Sequence, residues 1–202
     1  MEFEDVVRKR RMTRQFSTDP IPGALIDEVL RTGTRAPSAG FTQGIDLVVL
    51  TSEEARSRFW QVASDESWRE RHESAAGLVG APAIVVPVAD SLAYADRYRD
   101  ADKATSLLFS RDVASWPVPY WLVDAAYASM LILLAATAKG LGALFFQLHA
   151  AESTVCHALG IPGERRLIGA IALGYPISDE PPGSPSRRAR RPFADVVHRE
   201  GW

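Results

Sequence analysis

The sequence predicts an α+β or α/β fold with about four strands, on three observations. Short apolar, β-rich runs recur at 46–51 (DLVVLT), 83–90 (AIVVPVAD), 143–148 (ALFFQL) and 167–174 (LIGAIALG). Helical periodicity occupies much of the chain between them. Most of the strand runs are apolar at consecutive positions, so both faces of the sheet need covering and the helices must lie on both sides.

The elements follow in order. A helical pattern covers 2–11, and another covers 23–32, where Leu25, Ile26, Val29 and Leu30 share a face and Pro22 suits the first turn. A longer helical stretch spans roughly 53–78. Residues 91–121 mix charge, aromatic rings and two prolines, which reads as a partly helical excursion of the kind that lines a pocket. Residues 120–140, YWLVDAAYASMLILLAATAKG, form the longest apolar stretch. It approaches the length of a membrane span, but Asp124, Ser129, Thr137 and Lys139 interrupt or bound it, so no membrane association is expected. A helix apolar almost all round must be buried on all sides. In a chain of 202 residues that means its own sheet on one side and a second subunit on the other, which predicts a homodimer built on helix 121–139. The glycines of GLG, 140–142, cap this helix and turn the chain into the strand at 143–148. Residues 152–159 form a short helix with a Gly-Ile-Pro stop. The tail after Pro176 is rich in Pro, Ser and Arg, then regains an apolar, strand-like patch at Phe193, Val196 and Val197, and is expected to dock, in a dimer by wrapping the partner.

Composition narrows the function. With 47% apolar residues the chain is not of the disordered class, and its length suits one domain over 1–202 with a C-terminal arm at 177–202. The opening MEFEDVVRKR is charged where a signal peptide would be apolar, and the single cysteine, Cys156, cannot form an internal disulfide; both suit the cytoplasm. Cys156, beside His157, has no activating base pattern and reads as a buried structural thiol. No HExxH, CxxC, GxSxG or Walker pattern occurs, and His72, His149, His157 and His198 lack a metal-ligand spacing. The GLG fragment follows a helix rather than a strand, so a dinucleotide fingerprint fails on context.

The charge is unevenly placed. Residues 8–14, RKRRMTR, hold five cations in seven positions, so residues 1–14 carry a net +2; residues 187–202 carry +3, and the 172 residues between them carry −7. Such clusters are solvated tails, nucleic-acid arms, or two halves of one anion site. The net charge of −2, with no recognition-helix or zinc-finger pattern, argues against nucleic acid. The turn-rich loop RAPSAGFTQG, 35–44, offers backbone N–H groups and small side chains beside Gln43. Together with the arginine clusters and an aromatic strand, it describes a site for a planar cofactor carrying a phosphate.

Five segments in this order, RRMTRQFSTDPIP, APSAGFTQ, DAAYASMLILLAATAKGLGALFF, LGIPGERRLIGAIALGYP and RRARRPFADVV, resemble the FMN-dependent nitroreductase family over nearly the whole chain. The WPVPYW element at 116–121 is similar in particular to an actinobacterial branch. The resemblance implies an α+β fold with a central mixed sheet flanked by helices, and a homodimer with swapped tails and two FMN sites at the subunit interface. It implies NAD(P)H as electron donor, ping-pong transfer through FMN, and a small electron-poor acceptor such as a nitroaromatic or a quinone. By the same resemblance Arg10, Arg11 and Arg14 meet the FMN phosphate and the polar edge of its ring, and Arg188 and Arg190 close on the same phosphate, where bidentate arginines grip well. Pro37, Ser38 and Ala39 run along the flavin from the other subunit with Gln43 nearby, and Phe145, Phe146 and Gln147 face the isoalloxazine.

Two positions depart from the family pattern. Met12 stands where a serine is usual, which removes one side-chain contact to the flavin, and Phe41 stands where an asparagine is usual, as a wall of the pocket or as core packing. The chemistry needs few protein acids or bases, so no side chain is assigned as catalytic; the protein supplies stacking, orientation and positive charge, with Arg14 the candidate for the last. Trp116, Tyr120 and Trp121 are candidate substrate-facing aromatics, or aromatics packed under a loop. Two other functions fit the same fold: a specific metabolite dehydrogenase or oxidase, or user of a deazaflavin donor, and a non-catalytic flavin-binding protein.

Overall fold

A computed structural model of the chain describes residues 1–64, 75–103, 112–177 and 188–202. The α+β class is borne out. The elements run α1 (Phe3–Lys9), α2 (Gly23–Gly33), β1 (Ile45–Leu50), α3 (Glu53–Ala63), α4 (Ala75–Val79), β2 (Ala83–Ala89), α5 (Ser91–Arg97), α6 (Tyr120–Ala138), β3 (Gly142–Phe146), α7 (Glu152–Leu159), β4 (Arg166–Leu167) and β5 (Ala170–Gly174).

The sheet order is β1-β2-β5-β3, with β4 also paired to β2. The expected mixed sheet is corrected here: the named strands pair antiparallel, and among the described residues a parallel pairing enters through one bridge, from Met12 to Ala143. Strand alternation sorts the core into two layers. Ile84, Val86 and Val88 of β2 and Ala170 and Ala172 of β5 pack with Phe59, Trp60, Val155 and Cys156 from α3 and α7. Ala83 and Val85 of β2 and Ile171 and Leu173 of β5 pack on the other face with Ile26, Val29, Ile132 and Leu133 from α2 and α6. The two central strands are buried throughout, as their unbroken apolar runs require.

Local chemistry explains most boundaries. Ser52 accepts the Ala55 N–H at 3.2 Å to start α3, and Asp90 accepts the N–H groups of Leu92 and Ala93 to start α5. Gly140 and Gly160, both left-handed, end α6 and α7 as expected. The helix expected over 53–78 is not continuous: α3 stops at Ala63, where Ser64 turns extended, and α4 is a separate element; residues 65–74 lie outside the described set. The strand expected over 167–174 is two strands, broken at Gly169, whose φ of 142° suits glycine alone. A Cβ there would meet the Phe146 carbonyl oxygen at 2.5 Å, so the chain crosses the end of β3 only because the side chain is missing.

Helix α6 is long and apolar enough to cross a membrane by length and composition, and half of that span is buried inside the fold. One face covers the sheet and α2, but Tyr127 (50%) and Met130 (44%) remain exposed. The C-terminal patch forms a short 3-10 turn at Phe193–Asp195 rather than a strand, and every described residue from 188 to 202 is exposed.

Candidate functional site

The basic segment is fastened to the edge of the sheet. Helix α1 ends before Arg10, which turns extended, and the chain then runs beside β3: Met12 bridges Ala143, and the Thr13 N–H donates to the Ala143 carbonyl at 3.0 Å. Further on, the Ser17 N–H donates to Tyr175 at 2.9 Å and Phe16 bridges Pro176. Arg14 Nη1 donates to the Met12 carbonyl at 3.0 Å. Arg11 is exposed, whereas Arg10 is half-buried, and its Nη1 is buried with no hydrogen-bond partner among the described residues. Leaving a buried charged donor unmatched costs upward of about 1–3 kcal/mol, so this position favours an anionic acceptor. That donor set fits a phosphate group.

The end of β3 is aromatic. Phe145 and Phe146 are half-buried and face opposite sides of the sheet; Phe146 stacks on Trp60 at 5.4 Å and 13° and meets Phe59 edge-on at 6.3 Å. Gln147 lies just beyond the strand and is exposed. The structure therefore brings Arg10, Met12, Arg14, Phe145, Phe146 and Gln147 onto two adjoining segments.

The loop at 37–43 is a second, separately built unit. Its backbone enters the left-handed region at Gly40 (φ 65°), Phe41 (φ 56°) and Gln43 (φ 55°). For the two residues with side chains this strain costs on the order of 1–3 kcal/mol each, and it persists only where surrounding contacts overdetermine it. Those contacts are present. The Gln43 N–H donates to Ser38 Oγ at 3.0 Å, and Thr42 Oγ1 donates to the Ala39 carbonyl at 2.6 Å. The Ala39 N–H donates to Asp124 Oδ2 at 2.8 Å, and Tyr94 Oη donates to the same oxygen at 2.7 Å. From above, Arg97 Nε donates to the Gly40 carbonyl at 2.8 Å while its two terminal nitrogens hold both oxygens of Asp102 at 2.7 Å. The Arg97 guanidinium holds the Asp102 carboxyl at about 2, well below the usual range. Burial first, and then the hydrogen bond to Asp124, push the Tyr94 phenol far above its ordinary value. The outcome is a rigid turn that carries Phe41 outward, 73% exposed, so Phe41 is not core packing.

Asp124, Tyr94 and Arg97 were not among the residues singled out from sequence. Asp124 stood out only as a polar interruption of an apolar helix; a carboxylate buried to 3% exposure needs donors, and that is the signal that points to a partner.

The two units stand at opposite edges of the sheet, the loop before β1 and the basic segment beside β3. Both the start of β1 and the end of β3 lie at the same end of the sheet. Three strand spacings separate them, roughly 14 Å. Arg188 and Arg190 are exposed on the C-terminal arm, and no described contact closes them onto Arg10 within one chain. Trp116 and Trp121 are buried, at 6% and 7%, in a cluster with Tyr94 and Tyr98, with Trp116 edge-on to Tyr98 at 5.3 Å and tilted against Trp121 at 5.9 Å. Their burial favours packing under the excursion, while Tyr120 is half-buried at its edge. Cys156 is buried, and burial pushes its thiol up, as a structural cysteine requires.

Comparison with known proteins places the chain among relatives. The family model described as Nitroreductase family matches residues 7–175. A protein of Thermus thermophilus called NADH dehydrogenase is 28% identical over 93% of this chain and 92% of its own length. A 4-nitrobenzoate reductase of a Nocardioides species is 28% identical over 89% of this chain and 82% of its own. Among solved structures, a nitroreductase family protein of Clostridium difficile superposes with a TM-score of 0.73 at 18% identity, covering all of both chains. A candidate nitroreductase of Exiguobacterium sibiricum, solved in complex with FMN, superposes with a TM-score of 0.72 at 20% identity over 99% of this chain and 98% of that one.

Proposed function

Because the chain belongs to the nitroreductase family, we propose that it is a homodimeric oxidoreductase that passes electrons from NAD(P)H through bound FMN to a small electron-poor acceptor, a nitroaromatic or a quinone. The observation that carries this reading is the buried Nη1 of Arg10, without a partner among the described residues and two positions before the Met12 bridge to β3, the strand that ends in Phe145 and Phe146 with Gln147 just beyond. Support comes from the FMN held by the Exiguobacterium sibiricum structure and from the names of the two relatives above.

In this reading Arg10 and Arg11 hold the phosphate, Arg14 lends positive charge to the polar edge of the ring, and Arg188 and Arg190 complete the grip from the arm. The backbone at Met12 and the end of β3 supply the bed for the ring; Met12 offers no hydroxyl there. Bound FMN would supply two-electron hydride chemistry, and the chain contributes binding, orientation and exclusion of water. Pro37, Ser38, Ala39 and Gln43 precede β1 at the edge opposite the basic segment, about four strand spacings or roughly 19 Å away, so they serve the site of a second copy rather than their own. The half-exposed stripe of Tyr127 and Met130 on α6 and the exposed Phe193 (73%), Val196 and Trp202 of the arm are the surfaces such a dimer would cover. The chain acts as one FMN-binding domain in the cytoplasm, in keeping with its single buried thiol. Phe41 and Tyr120 are then the aromatic groups open to an acceptor.

The test is the visible spectrum of the purified protein, with acid-released flavin identified, before and after anaerobic NADPH. Bound FMN that bleaches is expected, and Arg10→Ala is expected to weaken FMN about 10–100-fold, the loss of one charge-assisted contact. A colourless protein that refuses added FMN would overturn the reading.

A further inference from the structure

Phe41 combines two features that each cost free energy within one chain. Its backbone is left-handed, at φ 56°, where a bulky side chain is a true outlier, and its ring is 73% exposed. We propose that Phe41 determines acceptor specificity, as the flat apolar face on which a planar aromatic acceptor rests at the site of a second copy, and that Arg97 is the positioning residue that holds it there. This inference rests on the dimeric flavin reading above and names the residues that choose the acceptor.

The turn is held from outside as well as from within. Within it, Thr42 Oγ1 donates to the Ala39 carbonyl and the Gln43 N–H to Ser38 Oγ. From α5, Arg97 Nε donates to the Gly40 carbonyl at 2.8 Å, one residue before Phe41. That guanidinium cannot swing away, because Nη1 and Nη2 are both held by Asp102 and Nη1 also reaches Asp100 at 3.0 Å. A planar group fixed at three nitrogens is a strut rather than a tether. Tyr98, the next residue, crowds the same glycine: a Cβ on Gly40 would meet Tyr98 Cε2 at 3.2 Å.

Packing inside the chain does not account for the ring, since so exposed a side chain buries little. A phenyl group has no donor or acceptor, so it makes no hydrogen bond to a flavin. What it offers is a flat apolar face, and aromatic rings take an offset-stacked or edge-to-face partner. A quinone or a nitroarene supplies such a partner; a compact inorganic acceptor does not.

The test compares wild type with Phe41→Asn, which removes the ring and leaves a residue at ease in the left-handed region. With NADPH as reductant, the ratio of kcat/KM for menadione to that for ferricyanide, which has no ring, is expected to fall about tenfold. Menadione binding to the oxidised full-length protein, followed by ligand-observed NMR, is expected to weaken by a similar factor. The melting temperature is expected to rise by about 2–4 °C, because strain is relieved and little packing is lost. Arg97→Met is expected to lower the menadione ratio as well, Arg97→Lys to restore part of it, and the Phe41→Asn, Arg97→Met double variant to be no worse than Phe41→Asn alone, since both act through one ring. An unchanged ratio and unchanged menadione binding in Phe41→Asn would overturn the proposal. A lower melting temperature would overturn it too, because the ring would then be packed against the second copy. Additive losses in the double variant would remove Arg97 from the role. Protein that takes no FMN yet binds menadione through Phe41 sinks the flavin reading and leaves the aromatic face standing; protein whose FMN bleaches with NADPH but which is indifferent to residue 41 does the reverse.

Discussion

Replacing Tyr94 with phenylalanine tests whether the buried Asp124 carboxylate holds the strained 37–43 turn in place. Tyr94 is fully buried, and its hydroxyl donates at 2.7 Å to the oxygen that also takes the Ala39 N–H. The variant keeps the ring and its edge contact with Trp121 at 6.4 Å, so almost no packing is lost. What goes is one hydrogen bond to a carboxylate inside the protein, worth about 1.5–3 kcal/mol. For a chain of this length the melting temperature should fall by roughly 3–12 °C. A second readout follows from pH. The folded phenol is held far above its ordinary value of 10.0, first by burial and then by Asp124, so its contribution is complete below that value. Above it the unfolded chain releases the proton while the folded one keeps it, and stability falls by about 1.4 kcal/mol per pH unit from this group. Phenylalanine has no such proton. Urea denaturation followed by circular dichroism from pH 8 to 11 should therefore show wild type and variant converging above pH 10. A melting temperature within about 1 °C of wild type, together with an unchanged alkaline slope, would refute the proposed support of the turn.

Gly169→Ala should destabilise the protein by about 2–4 kcal/mol in urea denaturation, since it adds a Cβ at φ 142° within 2.5 Å of the Phe146 carbonyl; a loss under about 0.5 kcal/mol would mean that the chain can step away from β3. The Asp102 carboxyl should titrate near 2 by NMR, so its pairing with Arg97 survives to pH 3 and is lost as pH falls through that midpoint; a midpoint at or above the ordinary 3.8 would show that the bidentate contact does not form in solution. Met130→Glu, placed on the exposed face of α6, should halve the mass seen by light scattering at micromolar concentration if that face joins two copies. An unchanged mass would move the interface elsewhere.

Much of the fold was legible before any coordinates. The unbroken apolar runs of β2 and β5 announce strands covered on both faces, and an all-round apolar α6 announces a helix in need of two covers. The Gly-Ile-Pro after α7 and the glycine after α6 mark stops by their own conformational preferences. These signals are local, because burial and backbone preference are written into neighbouring residues. The break at Gly169 was hidden, since the run around it is apolar throughout and only the crossing of β3 shows why a side chain is excluded. Likewise Trp116 and Trp121 look the same in sequence whether they face a substrate or the core; their burial against Tyr94 and Tyr98 depends on how the excursion folds back.

The site divides in the same way. Sequence determined the chemistry on offer: two terminal arginine clusters, an aromatic strand and a small-residue loop with the order of a nitroreductase. Tertiary structure decided which of these meet. It laid Met12 beside Ala143, left Nη1 of Arg10 buried without a partner among the described residues, and set the loop at the far edge of the sheet. It also tied Ala39 to Asp124 across 85 positions and Tyr94 to Asp124 across 30. Hydrogen bonds of that range depend on where the backbone returns rather than on any neighbouring residue, so a buried carboxylate in an apolar helix declares its need for donors while only the fold supplies them.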